Sequence, residues 1–127
     1  MLGGDFLIGH KIIEANKIWY FEFIPTNNKK QPIGESKNYT SKTECEEAVG
    51  FLRDFIIKEH IDSAVSPFIK ISETEKGWCL EYITKNETIF KSRVYTGASA
   101  KLNCKKCIES IYKRIDDYAF NRIKEDF

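Results

Sequence analysis

The stretch Ser36-Lys37-Asn38-Tyr39-Thr40-Ser41-Lys42 has a fainter counterpart in Ser92-Arg93-Val94-Tyr95-Thr96-Gly97, and the flanks of the two also match. Placing Trp19 on Trp78 places Ile12 on Ile71, Glu14 on Glu73, Lys17 on Lys76, Glu22 on Glu81, Phe23 on Tyr82 and Ile24 on Ile83 without a gap. Trp19 to Ser36 spans 17 positions and Trp78 to Ser92 spans 14, whereas Tyr39 to Cys45 takes 6 and Tyr95 to Cys104 takes 9. The differences fall between periodic segments, where loops belong, as duplication of one supersecondary unit would leave them. The expected organisation is a lead-in over 1–9, a first repeat over 10–63 and a second over 64–127, joined as one pseudo-twofold domain.

Each repeat reads as strands followed by a helix. His10 to Glu14 predicts a short strand, and Ile18 to Ile24, rich in aromatic and β-branched residues, predicts the strongest one. Pro25 ends it, and Ile33 to Ser36 completes a meander in which Trp19, Phe21 and Phe23 share one face and Tyr20, Glu22 and Ile24 the other. Ser41-Lys42-Thr43-Glu44 is a capping box, in which the serine hydroxyl accepts the N3 amide and the glutamate reaches back to the serine amide. Cys45, Ala48, Val49, Leu52, Phe55 and Ile56 then recur at helical spacing.

The second repeat predicts strands over Phe68–Ser72, Trp78–Ile83 and Thr88–Ser92. After them comes a helix capped by Ser99, with the stripe Cys104, Cys107, Ile108, Ile111, Ile115, Tyr118, Ala119 and Ile123, longer than its counterpart. The fold class is therefore α+β: a tandem repeat of a three-stranded antiparallel meander plus helix, forming one sheet with two helices packed on one face, since neither a small sheet nor a helix buries its apolar face alone.

Composition narrows the function classes. With 42% hydrophobic and 31% charged residues the chain is long enough to bury a core, and no apolar run approaches the ~18 residues of a membrane span. The beginning has neither a basic n-region nor an apolar h-region, so a cytoplasmic protein is expected, with no membrane partner and with Cys45, Cys79, Cys104 and Cys107 as thiols rather than disulfides. A net charge of +1 argues against a dedicated nucleic-acid binder, whose affinity comes mostly from phosphate neutralisation. The excess of cations is concentrated on the last helix, at Lys101, Lys105, Lys106, Lys113 and Arg114.

The order of strands, then Ser36-Lys37-Asn38-Tyr39-Thr40-Ser41-Lys42, then a helix whose second version reads Ile108-Glu109-Ser110-Ile111-Tyr112-Lys113, resembles the YegP-like tandem-repeat family of small bacterial domains over residues 10 to 118. The chain departs from that pattern at Glu47-Ala48 and Lys106-Cys107, where the helix usually has Asn-Gly, in its hairpin turns, and in lacking a trailing strand after the second helix. The resemblance implies two three-stranded-plus-helix units in one sheet, single-repeat relatives that dimerise, and no known biochemical activity.

Residue chemistry yields candidates rather than a catalytic signature. No Ser-His-Asp order, Gly-rich phosphate loop or His-Glu-x-x-His is present, and His10 and His60 have no partner at catalytic spacing, so a non-enzymatic protein without a cofactor is expected. Cys104 and Cys107 align with the apolar stripe, which favours core packing; a zinc reading needs two more ligands to converge on them from Cys45, Cys79, His10 or His60, and Cys45 aligns with Cys104, so a pseudo-twofold could bring the two near each other. Tyr39 and Tyr95 suit a strand-to-helix corner, with each ring packed and its hydroxyl bonded to backbone. In the functional version they line a paired polar pocket with Ser36 and Ser92. The expected activity is binding of a protein, of a second copy or of a small ligand, on the open sheet face or along the repeat junction. The alternatives are accessory nucleic-acid binding through Lys105, Lys106 and their neighbours, or a thiol or zinc protein.

Overall fold

A computed structural model of the chain describes residues 7–27, 31–59 and 68–115. The elements run β1 (Ile8–Ala15), β2 (Ile18–Pro25), β3 (Gly34–Ser36), α1 (Lys42–Glu59), β4 (Ile69–Glu73), β5 (Trp78–Thr84), β6 (Glu87–Ser92) and α2 (Ala100–Arg114). The strands form one six-stranded antiparallel sheet in the order β1-β2-β3-β6-β5-β4, so the class is α+β.

The period of two in β2 sets its sidedness. Phe21 and Phe23 are fully buried, and they share a cluster with Cys45, Val49, Leu52 and Ile56 of α1, with Cys107, Ile108 and Ile111 of α2, and with Leu80, Tyr82 and Phe90. Both helices therefore cover the same face: α1 packs on β1 and β2, and α2 on β5 and β4. Phe90 sits at the centre, its ring centroid 4.7 Å from Phe23, 6.0 Å from Tyr82 and 6.3 Å from Phe21.

The middle of the sheet is a short seam. Gly34 faces Ser92, Glu35 faces Lys91 and Ser36 faces Phe90, so the register is symmetric about the Glu35–Lys91 pair. Two-residue turns close β1–β2 at Asn16-Lys17 (φ 54° and 66°) and β5–β6 at Lys85-Asn86 (φ 52° and 62°). Left-handed pairs of this kind match the strand twist and are usually filled by Asn-Gly; asparagine at one position of each turn tolerates the conformation.

Several boundaries differ from the sequence expectation. Ile8 and Gly9 belong to β1 rather than to a lead-in: Thr26 donates its amide to the Leu7 carbonyl and Ile8 is fully buried, a backbone pairing that the interrupting glycine conceals. β4 begins at Ile69 rather than Phe68. Glu44 of the capping box receives the hydroxyls of Thr40 (2.8 Å) and Ser41 (3.3 Å), while its own amide donates to the Ser41 hydroxyl (3.1 Å). Ser99 precedes α2 by position but forms no side-chain cap; its carbonyl accepts the Asn103 amide.

α2 is not the longer helix within the described residues: it ends at Arg114, because Ile115 turns to extended backbone (φ −83°, ψ 129°) and bridges Ile8 in parallel. That single bridge stands where the sequence showed no trailing strand. The expected stripe positions Tyr118, Ala119 and Ile123, together with His60 and the linker from Ile61 to Pro67, lie outside the described residues.

Candidate functional site

Ser36 and Ser92 are placed by the ends of β3 and β6 and are both buried. The Phe21 amide donates to the Ser36 hydroxyl (2.9 Å), which donates to the Lys37 carbonyl (2.7 Å). The Leu80 amide donates to the Ser92 hydroxyl (2.8 Å), which donates to the Arg93 carbonyl (2.8 Å). Three residues on, Tyr39 exchanges two backbone hydrogen bonds with Trp19, and Tyr95 does the same with Trp78. Each serine thus completes the ladder where its strand starts to diverge, and each tyrosine restores the pairing beyond.

The tyrosine side chains are not equivalent. Tyr95 interacts through its side chain with both Cys107 and Arg93, whose guanidinium lies 5.2 Å from its ring centroid. Burial raises its phenol, and Cys107 adds to the shift. Lys37 sits in the same way 5.2 Å from the Tyr39 ring, but its amine is bound to Glu87 at 2.9 Å. Burial, with Cys45 second, pushes the Tyr39 phenol up to about 12.

The four cysteines are buried and unpaired in disulfides, and among the described residues no three His, Cys, Asp or Glu side chains come together as a metal site. Cys45, Cys104 and Cys107 therefore do not converge as the zinc reading requires. Burial raises all four thiols, Cys45 and Cys104 to about 11, so they are neutral at pH 7 and lack the thiolate that redox chemistry uses.

A concavity lies along the junction of the two halves. It encloses about 580 Å³ between the β2–β3 connection (Pro25, Asn27, Gln31, Ile33), the segment after β6 (Arg93, Tyr95) and one face of α2 (Asn103, Lys106, Cys107, Ser110, Ile111). Of the residues singled out from sequence, the cavity brings together Tyr95, Lys106 and Cys107; Tyr39, Ser36, Ser92 and Lys105 are not part of its lining. Asn103 and Ser110 are additions that helical spacing from Lys106 and Cys107 could have supplied, and Arg93 is a further one, two residues before Tyr95. The basic face of α2 is partly engaged elsewhere, with Lys113 bound to Glu109 at 2.6 Å and Lys101 lying 5.2 Å from the Trp78 ring centroid.

The sheet face opposite Phe21 and Phe23 carries Tyr20, Glu22 and Ile24 as expected, with Ile24 buried, and is crossed by one charged row. Cross-strand pairing places Lys11, Glu22, Glu35, Lys91, Glu81 and Lys70 in line from edge to edge. The two equivalent glutamates respond oppositely. Glu22 is raised, first by burial and then by Glu35 opposite it. Burial also acts against ionised Glu81, but hydrogen bonds from Ser72 (2.6 Å) and Thr88 (2.9 Å), with Lys91 and Lys70, outweigh it and hold that carboxyl low.

A raised native pKa gives stability that is complete below the unfolded value and lost as pH rises through the folded one. Glu22→Gln is thus expected to stabilise the protein at pH 7 by roughly 0.5 kcal/mol or less, given solvent screening, with the gain vanishing near pH 4. Urea midpoints of both proteins at the two pH values would show it; equal midpoints at pH 7 would remove the repulsion from the account.

Comparison with protein-family models, curated proteins and solved structures gave no match for this chain.

Proposed function

We propose that the protein is a small non-enzymatic binding module made of two strand–helix units of common origin, and that the junction cavity is its ligand site. The observation that carries this reading is the cavity itself: about 580 Å³, within the ~300–1,000 Å³ common for ligand pockets, with an apolar side at Pro25, Ile33 and Ile111 and polar groups facing it from both halves. The shared origin draws on the symmetric β3–β6 register and on the matching Ser36/Ser92 and Tyr39/Tyr95 hydrogen bonds. A single unit dimerising through this strand would set each axial residue against its own copy; a fused pair permits Glu35 to meet Lys91.

Native mass spectrometry of the protein isolated gently from its own cells tests the reading. The expected spectrum shows a mass increment on the 14.8 kDa chain that disappears in Ser110→Trp, which fills the cavity. An increment untouched by Ser110→Trp would move the ligand elsewhere, and a doubled mass without increment would transfer the function to self-association.

A further inference from the structure

We propose that the junction cavity recognises a small organic oxyanion, a phosphate or carboxylate carried on an apolar body, with Arg93 and Lys106 as the partners of the anion; this rests on the junction cavity being the ligand site. Among the described residues, two cations and no carboxylate contribute to the lining. Arg93 and Lys106 are both exposed, and neither has a carboxylate partner among the described residues. Tyr95, in contact with both the Arg93 guanidinium and Cys107, restrains Arg93 before any ligand arrives. Asn103 and Ser110, on the same face of α2, supply neutral donors.

The fold does not require this charge. The position equivalent to Lys106 in α1 is Glu47 and that equivalent to Asn103 is Glu44, while Lys37, the counterpart of Arg93, is already bound to Glu87. Of two places built on the same backbone plan, one is cationic with no carboxylate partner among the described residues, and the other carries Glu44, Glu47 and Glu87. A guanidinium and an ammonium converging on a half-apolar concavity suit an oxyanion whose remaining surface is apolar.

The test is an amide and side-chain NMR titration at low salt with phenyl phosphate, benzoate, inorganic phosphate and benzyl alcohol. Phenyl phosphate or benzoate is expected to shift Arg93, Asn103 and Ser110, the stronger of the two identifying the anion. Inorganic phosphate should bind at least about tenfold more weakly, and benzyl alcohol should leave these signals unchanged. Arg93→Gln and Lys106→Gln, both at exposed positions, should each weaken the better probe by about tenfold while the circular dichroism spectrum stays the same. Benzyl alcohol binding as tightly as the anions would overturn the ligand class and leave the cavity as a site. An absence of shifts at Arg93, Asn103 and Ser110 with every probe, alongside a cell-derived increment that survives Ser110→Trp, would overturn both.

Discussion

Gly34→Ala is expected to destabilise the protein by at least about 3 kcal/mol, a large part of the roughly 5–15 kcal/mol that holds a domain together. A Cβ at Gly34 would fall on the Lys91 carbonyl oxygen, 2.6 Å from Ser92 Cα and 2.7 Å from Phe90 Cζ. Two of these atoms are backbone on the facing strand, so relief requires β3 and β6 to separate, and their three residue pairs are the seam between the halves. The third belongs to the ring around which Phe21, Phe23 and Tyr82 are packed. Overpacking a core typically costs ~1–3 kcal/mol when side chains can move; here the obstruction is main chain, which puts the cost at or above that range.

Gly50→Ala is the control. An added Cβ there meets nothing within 4 Å, and a glycine inside a helix costs about 0.5–1 kcal/mol relative to alanine, so this variant should be more stable than the wild type. Urea unfolding of the three proteins measures both effects, and exchange of the Arg93 and Lys37 amides, which donate across the seam to Ile33 and Ile89, localises the first. A wild-type midpoint for Gly34→Ala would mean that the two halves do not meet as closely as described.

Much of this arrangement was legible because local pattern and tertiary packing agree. Trp19 to Ile24 is rich enough in aromatic and β-branched residues to mark a strand and its two faces, and Cys45 to Ile56 spaces its apolar residues to fix a helix and its stripe. Boundaries at which backbone pairing decides were not legible. Gly9 breaks the apolar rhythm, yet its neighbours pair regularly with β2, and Ile115 continues the stripe of α2 but is drawn out to meet Ile8. The sequence named Cys107, Tyr95 and Lys106 individually; the cavity uniting them also needs Gln31, from a polar connection without periodicity, and Ile33 beside it, both more than 60 positions earlier in the chain. Such a site is a product of topology: antiparallel contact of β3 with β6 carries the loop of one half to the helix of the other.

Ser36 and Ser92 also show how one pattern supports two readings, because Ser-x-x-Tyr placed twice resembles a paired polar site. The geometry assigns the hydroxyls to the backbone amides of Phe21 and Leu80, buried groups that cannot turn to water. Leaving such a donor unsatisfied costs ~1–3 kcal/mol, more than the net value of the hydrogen bond, because desolvation is not repaid. Ser36→Ala and Ser92→Ala are each expected to lose that amount in urea unfolding, and the double variant roughly 2–6 kcal/mol if the two losses add. Amide exchange should accelerate at Phe21 in the first variant and at Leu80 in the second, where a general loosening would affect both alike. The structural role also requires that Ser36→Ala leave affinity at the junction cavity unchanged wherever the protein remains folded, since Ser36 is absent from its lining. Wild-type stability with abolished ligand binding would return the serines to the functional site and take the ladder repair away from them.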